Sequence, residues 1–257
     1  MVSDLNLAAK AFKGLHRPHQ PVVLTNVYDG VSARTVAELP ASKAIATASW
    51  AIAEAAGVPD EELTLDENIR ATKIIATAIK KSGKPLTVDL QDGYGDQLEE
   101  AIKKTIGAGA IGANLEDYDN ANKRLYSTDD AVNRIKRALS VADSLGVPDF
   151  VVNARCDAIL YGGTIDDIIS RGQAYLAAGA TSVFVLGPLE QAHPGELPRD
   201  QITKLVQAFQ GRVNLVPGEK STKEIAALGV SRISVGPDLQ MVAMRALKKE
   251  AEKFLDV

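Results

Sequence analysis

The chain has 257 residues, 46% of them hydrophobic and 24% charged, and a formal net charge of −4. That balance suits one large buried core. A mildly acidic chain without a basic stripe speaks against a nucleic-acid partner, and no apolar run approaches the ~20 residues that cross a bilayer.

The opening MVSDLNLAAKAFKGLH lacks the apolar centre and cleavage site of a secretory signal, and Asp4 argues against a transit peptide, so the cytosol is the expected compartment. In chain order, short apolar runs then alternate with helical stretches. The predicted strands are 22–26 (VVLTN), 43–47 (KAIAT), 86–90 (LTVDL), 111–116 (IGANLE), 149–155 (DFVVNAR), 182–187 (SVFVLG), 212–217 (RVNLVP) and 232–236 (RISVG). They read as nearly continuous apolar runs, the pattern of parallel strands covered on both faces. Helices are predicted over 31–39, 65–83, 95–109, 127–146, 164–179, 199–211, 221–229 and 238–255. Ser127 or Thr128 and Thr164 stand as caps, and the elements GAGA (107–110), AAGA (177–180) and AALG (226–229) place a glycine at the helix end. Eight alternations predict an α/β chain closed into a (β/α)8 (TIM) barrel, one domain over residues 1–257. A doubly wound open sheet is disfavoured because no GxGxxG follows the first strand.

In such a barrel the chemistry sits where strands run into the following loops. Strand 1 leads into NVYDG, where Tyr28 and Asp29 meet the barrel top; Asp29 either caps the next helix or faces the pocket. Strand 2 leads into TASWAIAEAAGVPD, whose small residues would offer backbone N–H groups to an anion; Trp50 either walls the pocket or fills space, and Asp60 follows a Gly57/Pro59 turn. Strand 3 ends in VDLQDGYGD. Asp89 lies within the strand between Val88 and Leu90, where a buried charge needs a partner; Asp96 reads better as a helix N-terminal acid. Strand 4 ends in NLEDYD, and adjacent strand ends, ~4.8 Å apart, bring Glu116 close to Asp89. Two oxygen ligands with room for water and substrate describe Mg2+ or Mn2+ better than Zn2+. Strand 5 ends in NARCDA: Arg155 points to the same mouth, as a carboxylate clamp or as counter-ion to Glu116 or Asp117. Cys156, the single cysteine, reads as a packing residue. It excludes an intrachain disulfide and a cysteine-based zinc site, while His16, His19 and His193 are too scattered for a zinc cluster.

The ordered succession NVYDGVSA, TASW…GVPD, VDLQDGYG, NLEDY and NARCDA resembles the isocitrate lyase/phosphoenolpyruvate mutase superfamily over roughly residues 20 to 240. The resemblance implies a Mg2+-dependent barrel acting on 2-oxo acids through enolates, often a dimer or tetramer with its last helix exchanged between subunits. By motif, Asp89, Glu116, Gln91 and Asp60 would serve the metal. Arg155 would meet the substrate oxyanion, with Tyr28 and Glu116 beside it in catalysis, and Ala48, Ser49, Trp50, Asp29 and Asn153 would hold the substrate. Two departures stand out. Gln91 replaces the family's second acid, with Asp92 next to it as a possible compensation. The lyases' Lys-Lys-Cys-Gly-His gating stretch is absent: the loop after strand 4 reads YDNANKRLYST, whose Asn120, Asn122, Lys123 and Arg124 resemble mutase chemistry or form a polar surface loop. These departures favour C–C cleavage of an oxaloacetate-like acid by decarboxylation or hydrolysis. A lyase using Tyr28 or Tyr118 as acid/base, a phosphonomutase and a non-catalytic metabolite-binding barrel are the alternatives.

Overall fold

A computed structural model describes residues 4–189 and 194–255, so His193 lies outside the described residues. Eight strands carry the fold: β1 (Val22–Leu24), β2 (Ile45–Ala46), β3 (Leu86–Asp89), β4 (Gly112–Glu116), β5 (Val151–Cys156), β6 (Ser182–Val185), β7 (Val213–Leu215) and β8 (Arg232–Ser234). They pair in parallel in the order β1, β8, β7, β6, β5, β4, β3, β2. The seam between β1 and β2 is closed by a parallel bridge from Val27 to Thr47, in which Val27 N–H donates to the Ala46 carbonyl at 2.8 Å and Ala48 N–H to the Val27 carbonyl at 3.3 Å. The sheet is therefore a ring, and the open doubly wound alternative is excluded.

The helices are α1 (Asp4–Lys13), α2 (Gly30–Ala37), α3 (Ser49–Ala56), α4 (Leu65–Ile79), α5 (Leu98–Gly107), α6 (Thr128–Ser144), α7 (Ile165–Ala177), α8 (Arg199–Ala208), α9 (Thr222–Leu228) and α10 (Asp238–Leu255). Ser127, Thr164 and Ser221 cap α6, α7 and α9 with their hydroxyls. Gly109, Gly179 and Gly229 take positive φ of 92°, 107° and 101° where each helix turns back towards the next strand. The sequence pattern misses α1, α3 and a two-stranded hairpin, Tyr118–Asp119 with Arg124–Leu125. Helix α1 sits at the N-terminal end of the ring: Asn6 exchanges hydrogen bonds with Asp149, just before β5, and Phe12 is wholly buried. No described helix is long and apolar enough to cross a membrane.

The strands are less uniformly apolar than their sequence suggests. Val88, Leu115, Val152, Val183 and Ile233 pack in the core, whereas the alternate positions Asp89, Asn114, Asn153, Ser182 and Arg232 are polar. Alternation sends the two sets to opposite faces. Arg232 on β8 donates to Asn114 on β4 at 3.0 Å. These strands stand four apart in a ring of eight, so the polar set faces inward across the axis.

Candidate active site

The C-terminal ends of β3, β4 and β5 gather the charged groups. Asp89 ends β3; its backbone N–H donates to Thr47 Oγ1 at 2.8 Å, and its carboxylate accepts from the Ser49 N–H at 3.1 Å. The chain then turns through Gln91, Gly93, Tyr94 and Gly95, all at positive φ. At Gly93 a Cβ would lie 2.5 Å from Leu98 Cδ1, so the turn admits only glycine there. Gln91 reaches sideways: Nε2 donates to the Asp60 carbonyl at 2.6 Å and to Asp60 Oδ1 at 2.9 Å. The Asp60 carboxyl is raised above the ordinary range by burial and then by the nearby Asp89 charge, against which hydrogen bonds from Ser49 and Gln91 act.

Glu116, at the end of β4, is paired in register with Arg155 on β5. Arg155 Nη1 lies 3.1 Å from Glu116 Oε2 and its Nε 2.7 Å from Asp157 Oδ1. Asn120, from the hairpin loop, donates to Glu116 Oε1 at 3.1 Å. Burial pushes the Glu116 carboxyl up to about 8 even with Arg155 beside it, and burial likewise raises Asp157. Burial also opposes the Arg155 charge, but Asp157 and Glu116 outweigh it and hold the guanidinium firmly protonated. Four carboxyl groups, those of Asp60, Asp89, Glu116 and Asp157, thus gather near one guanidinium, which contacts Glu116 and Asp157. Among the described residues no three His, Cys, Asp or Glu side chains form a ready-made metal cage. The acids instead border a common rim, which fits Mg2+ or Mn2+: such ions keep several waters and take one or two carboxylates plus substrate oxygens.

Several predicted residues have other duties. Asp29 caps α2, its Oδ1 accepting from Ser32 N–H at 2.7 Å in a capping box, so the cap, not the pocket, claims it. Asn153 is fully buried one step below Arg155. It donates to Asn114 Oδ1 at 2.8 Å and accepts from Ser182 Oγ at 2.6 Å, which leaves it no reach to the mouth. Asp92 does not compensate for Gln91. It is turned away to accept from Tyr94 N–H at 2.9 Å, Gly95 N–H at 3.3 Å and the Tyr126 hydroxyl at 2.9 Å. Asp117, 2% exposed, serves packing: it accepts from Asp157 N–H, Arg171 and the Tyr175 hydroxyl. Ala48 is the N-cap of α3 and offers no side-chain cap; its N–H is spent on Val27 and that of Ser49 on Asp89. Trp50 stands half-exposed in the first turn of α3. Tyr28 packs against Ile52, Ala53 and Leu63, and burial, with Asp29 next to it, raises its hydroxyl. Cys156 is buried, and burial pushes its thiol well up, as a packing residue requires.

Sequence reasoning missed Asp157, which lies inside the NARCDA motif and completes the grip on Arg155. It named Tyr118 but missed its partner Tyr161, whose ring stacks on that of Tyr118 at 4.1 Å with planes 3° apart. The burial-raised Tyr161 hydroxyl feels the Tyr118, Asp157 and Glu116 groups.

The family model described as phosphoenolpyruvate phosphomutase matches residues 12–255. A 2-methylisocitrate lyase of Escherichia coli (strain K12) is 31% identical over 193 residues, covering 70% of this chain but 62% of the lyase, less than two thirds of its length. An oxaloacetate decarboxylase of Paraburkholderia xenovorans (strain LB400) is 28% identical, covering 88% of this chain and 75% of its own. Among solved structures, a Burkholderia cenocepacia J2315 protein provisionally named a phosphonomutase superposes with a TM-score of 0.85 at 35% identity, over 97% of this chain and 99% of that one.

Proposed function

The chain belongs to the isocitrate lyase/phosphoenolpyruvate mutase superfamily, and from that premise we propose an enzyme that cleaves a C–C bond of an oxaloacetate-like 2-oxo acid through an enolate, with Mg2+ or Mn2+ as cofactor. The observation that carries the reading is the joint rim of Asp89, Glu116 and Asp60 around Arg155. Its surplus of carboxyl groups over cationic side chains suits a cation. Asp89 and Glu116 would hold that cation, with Asp60 beside them, and Gln91 would fix Asp60 through its amide. The bound cation would add positive charge where the 2-oxo acid becomes an enolate.

Arg155 would direct its guanidinium at the same developing oxyanion, held in place by Asp157 and Glu116. The first turn of α3 around Trp50, uncapped by Ala48, would receive the substrate carboxylate. In a decarboxylation the bond between the β-carbon and its carboxylate carbon breaks, CO2 departs, and the electron pair enters the enolate. A proton then returns to the β-carbon, and Tyr118, stacked on Tyr161, is the phenol we assign to deliver it. The oxaloacetate decarboxylase likeness supports this substrate class. Helix α10 leaves Met241, Val242, Met244, Leu247, Phe254 and Leu255 exposed, which supports a homo-oligomer in which a second copy covers it.

The test is isothermal titration with Mg2+ and oxalate, a planar enolate mimic, together with turnover of oxaloacetate, other 2-oxo acids and phosphonates. The reading expects Mg2+-dependent oxalate binding, its loss in Asp89→Ala, and release of CO2 from oxaloacetate. No oxalate binding at saturating Mg2+ rules out the enolate mechanism, and turnover of phosphonates alone rules out the C–C reading.

A further inference from the structure

One layer below the candidate site the barrel interior holds a charge that the proposed chemistry leaves unused. Arg232 starts β8 and is wholly buried. Its Nη2 donates to Asn114 Oδ1 at 3.0 Å and its Nε to Ser234 Oγ at 3.2 Å, both neutral acceptors. Nη1 has no partner. Among the described residues no carboxylate lies within ion-pair distance of it, although buried guanidinium groups are normally paired. Asn114 also accepts from Asn153, which accepts from Ser182, so the guanidinium is clamped in a hydrogen-bonded floor spanning β8, β4, β5 and β6.

Burial lowers Arg232 to about 9, which leaves it charged at neutral pH, and the opposing influence comes from Asp89. On the other side lies His16. Burial and the Arg232 charge push its imidazole down to about 3, so it is neutral. The compensation for Arg232 therefore lies upward, in the acids of the rim. Asp89 is paired in register with Asn114, the residue Arg232 touches. At the rim four carboxyl groups, those of Asp60, Asp89, Glu116 and Asp157, stand against the single guanidinium of Arg155; Arg232 adds a second positive group from beneath.

We propose that Arg232 is a positioning residue that sets the charge balance of the site from below, weakening its hold on a divalent cation and strengthening its hold on the anionic substrate. This rests on the reading of the rim as a cation and 2-oxo acid site. A group that merely shaped the floor would move both affinities the same way; a charge moves them in opposite directions.

Two variants separate these cases. Arg232→Met removes the charge. Asn114→Asp keeps the arginine but places a carboxylate where Nη2 now donates at 3.0 Å. Mn2+ binding by electron paramagnetic resonance, and oxalate binding to the Mn2+-loaded protein by calorimetry, read the two affinities without turnover. Both variants are expected to bind Mn2+ at least roughly tenfold more tightly and oxalate at least roughly tenfold more weakly, the scale a unit charge roughly 7 Å from a divalent group reaches even at near-aqueous screening. Arg232→Lys should stay near the wild type. Two affinities that fall together, or variants that match the wild type, overturn the proposal; should Arg232→Met not fold, Asn114→Asp decides. A wild-type protein that binds no Mn2+ overturns the proposed function and this inference with it, whereas normal Mn2+ and oxalate binding untouched by either variant overturns this inference alone.

Discussion

Replacing Glu116 with glutamine isolates the most perturbed acid of the rim. Its carboxylate lies 3.1 Å from both Arg155 Nη1 and Asn120 Nδ2; a glutamine carbonyl can accept from Arg155, and its NH2 can donate to Asn120 once that amide turns over. In the folded, cation-free protein burial holds the Glu116 proton to about pH 8, against the ordinary value of 4.5. Below the lower value both states are protonated and nothing changes. Between the two, the unfolded chain has released a proton that the folded chain retains, so stability falls as pH rises, and above the upper value the loss is complete. At about 1.4 kcal/mol per pH unit the full shift is worth roughly 5 kcal/mol, of which about 4 falls between the two midpoints because each state is half-titrated at its own. Glutamine carries no such proton. The unfolding free energy of Glu116→Gln minus that of the wild type should therefore climb by roughly 4 kcal/mol between pH 4.5 and 8. Urea denaturation followed by circular dichroism, in EDTA, at half-unit steps of pH measures it. A cation that needs the ionised carboxylate should give the wild type more stabilisation at pH 8 than at pH 6 and the variant little at either. A difference that stays flat with pH refutes the argument, because it would mean that Glu116 is already ionised throughout.

Asp117→Asn should destabilise the fold by roughly 3 kcal/mol, since it strips the buried carboxylate that answers half-buried Arg171 and buried Tyr175; thermal unfolding reads the loss, and Mn2+ affinity in the folded fraction should be unchanged. Gln91→Asp removes the amide that donates to Asp60 and sets two carboxylates face to face. It should lower the melting temperature in EDTA yet raise Mg2+ affinity, so that the Mg2+-induced rise in melting temperature exceeds that of the wild type. Leu247→Glu with Phe254→Glu, both at exposed positions of α10, should shift sedimentation to the monomer; an unchanged sedimentation coefficient removes α10 from the interface.

The ring of strands was legible because each of its eight members is a short apolar run bounded by turn residues, and the caps at Ser127 and Thr164 mark two of the helices between them. Helix α3 was not. SWAIAEAA opens on Ala48, which gives no cap signal, and its small residues suit a loop as well as a helix. The hairpin over Tyr118–Asp119 and Arg124–Leu125 has only two residues a strand, too few for periodicity to register, so the Asn120 contact with Glu116 could not be foreseen.

The site divides in a similar way. Asp89, Glu116 and Arg155 could be assigned because a charge ending an apolar strand points to the mouth of a barrel. Depth is harder. Asn153 and Arg155 share a face two residues apart, yet one is sealed in the floor and the other stands at the rim. Which is which depends on how far β5 runs past its neighbours, a property of the pairing register. Arg232 is the extreme case. An arginine opening a strand ordinarily lies at the solvated end of a barrel, so a linear reading consigns it to the surface. Closure of eight strands turns that side chain across the axis to Asn114 on the opposite wall, where its charge is felt together with that of Asp89. Local patterning identifies the groups that end strands; only the closed ring determines which distant charge they must answer to.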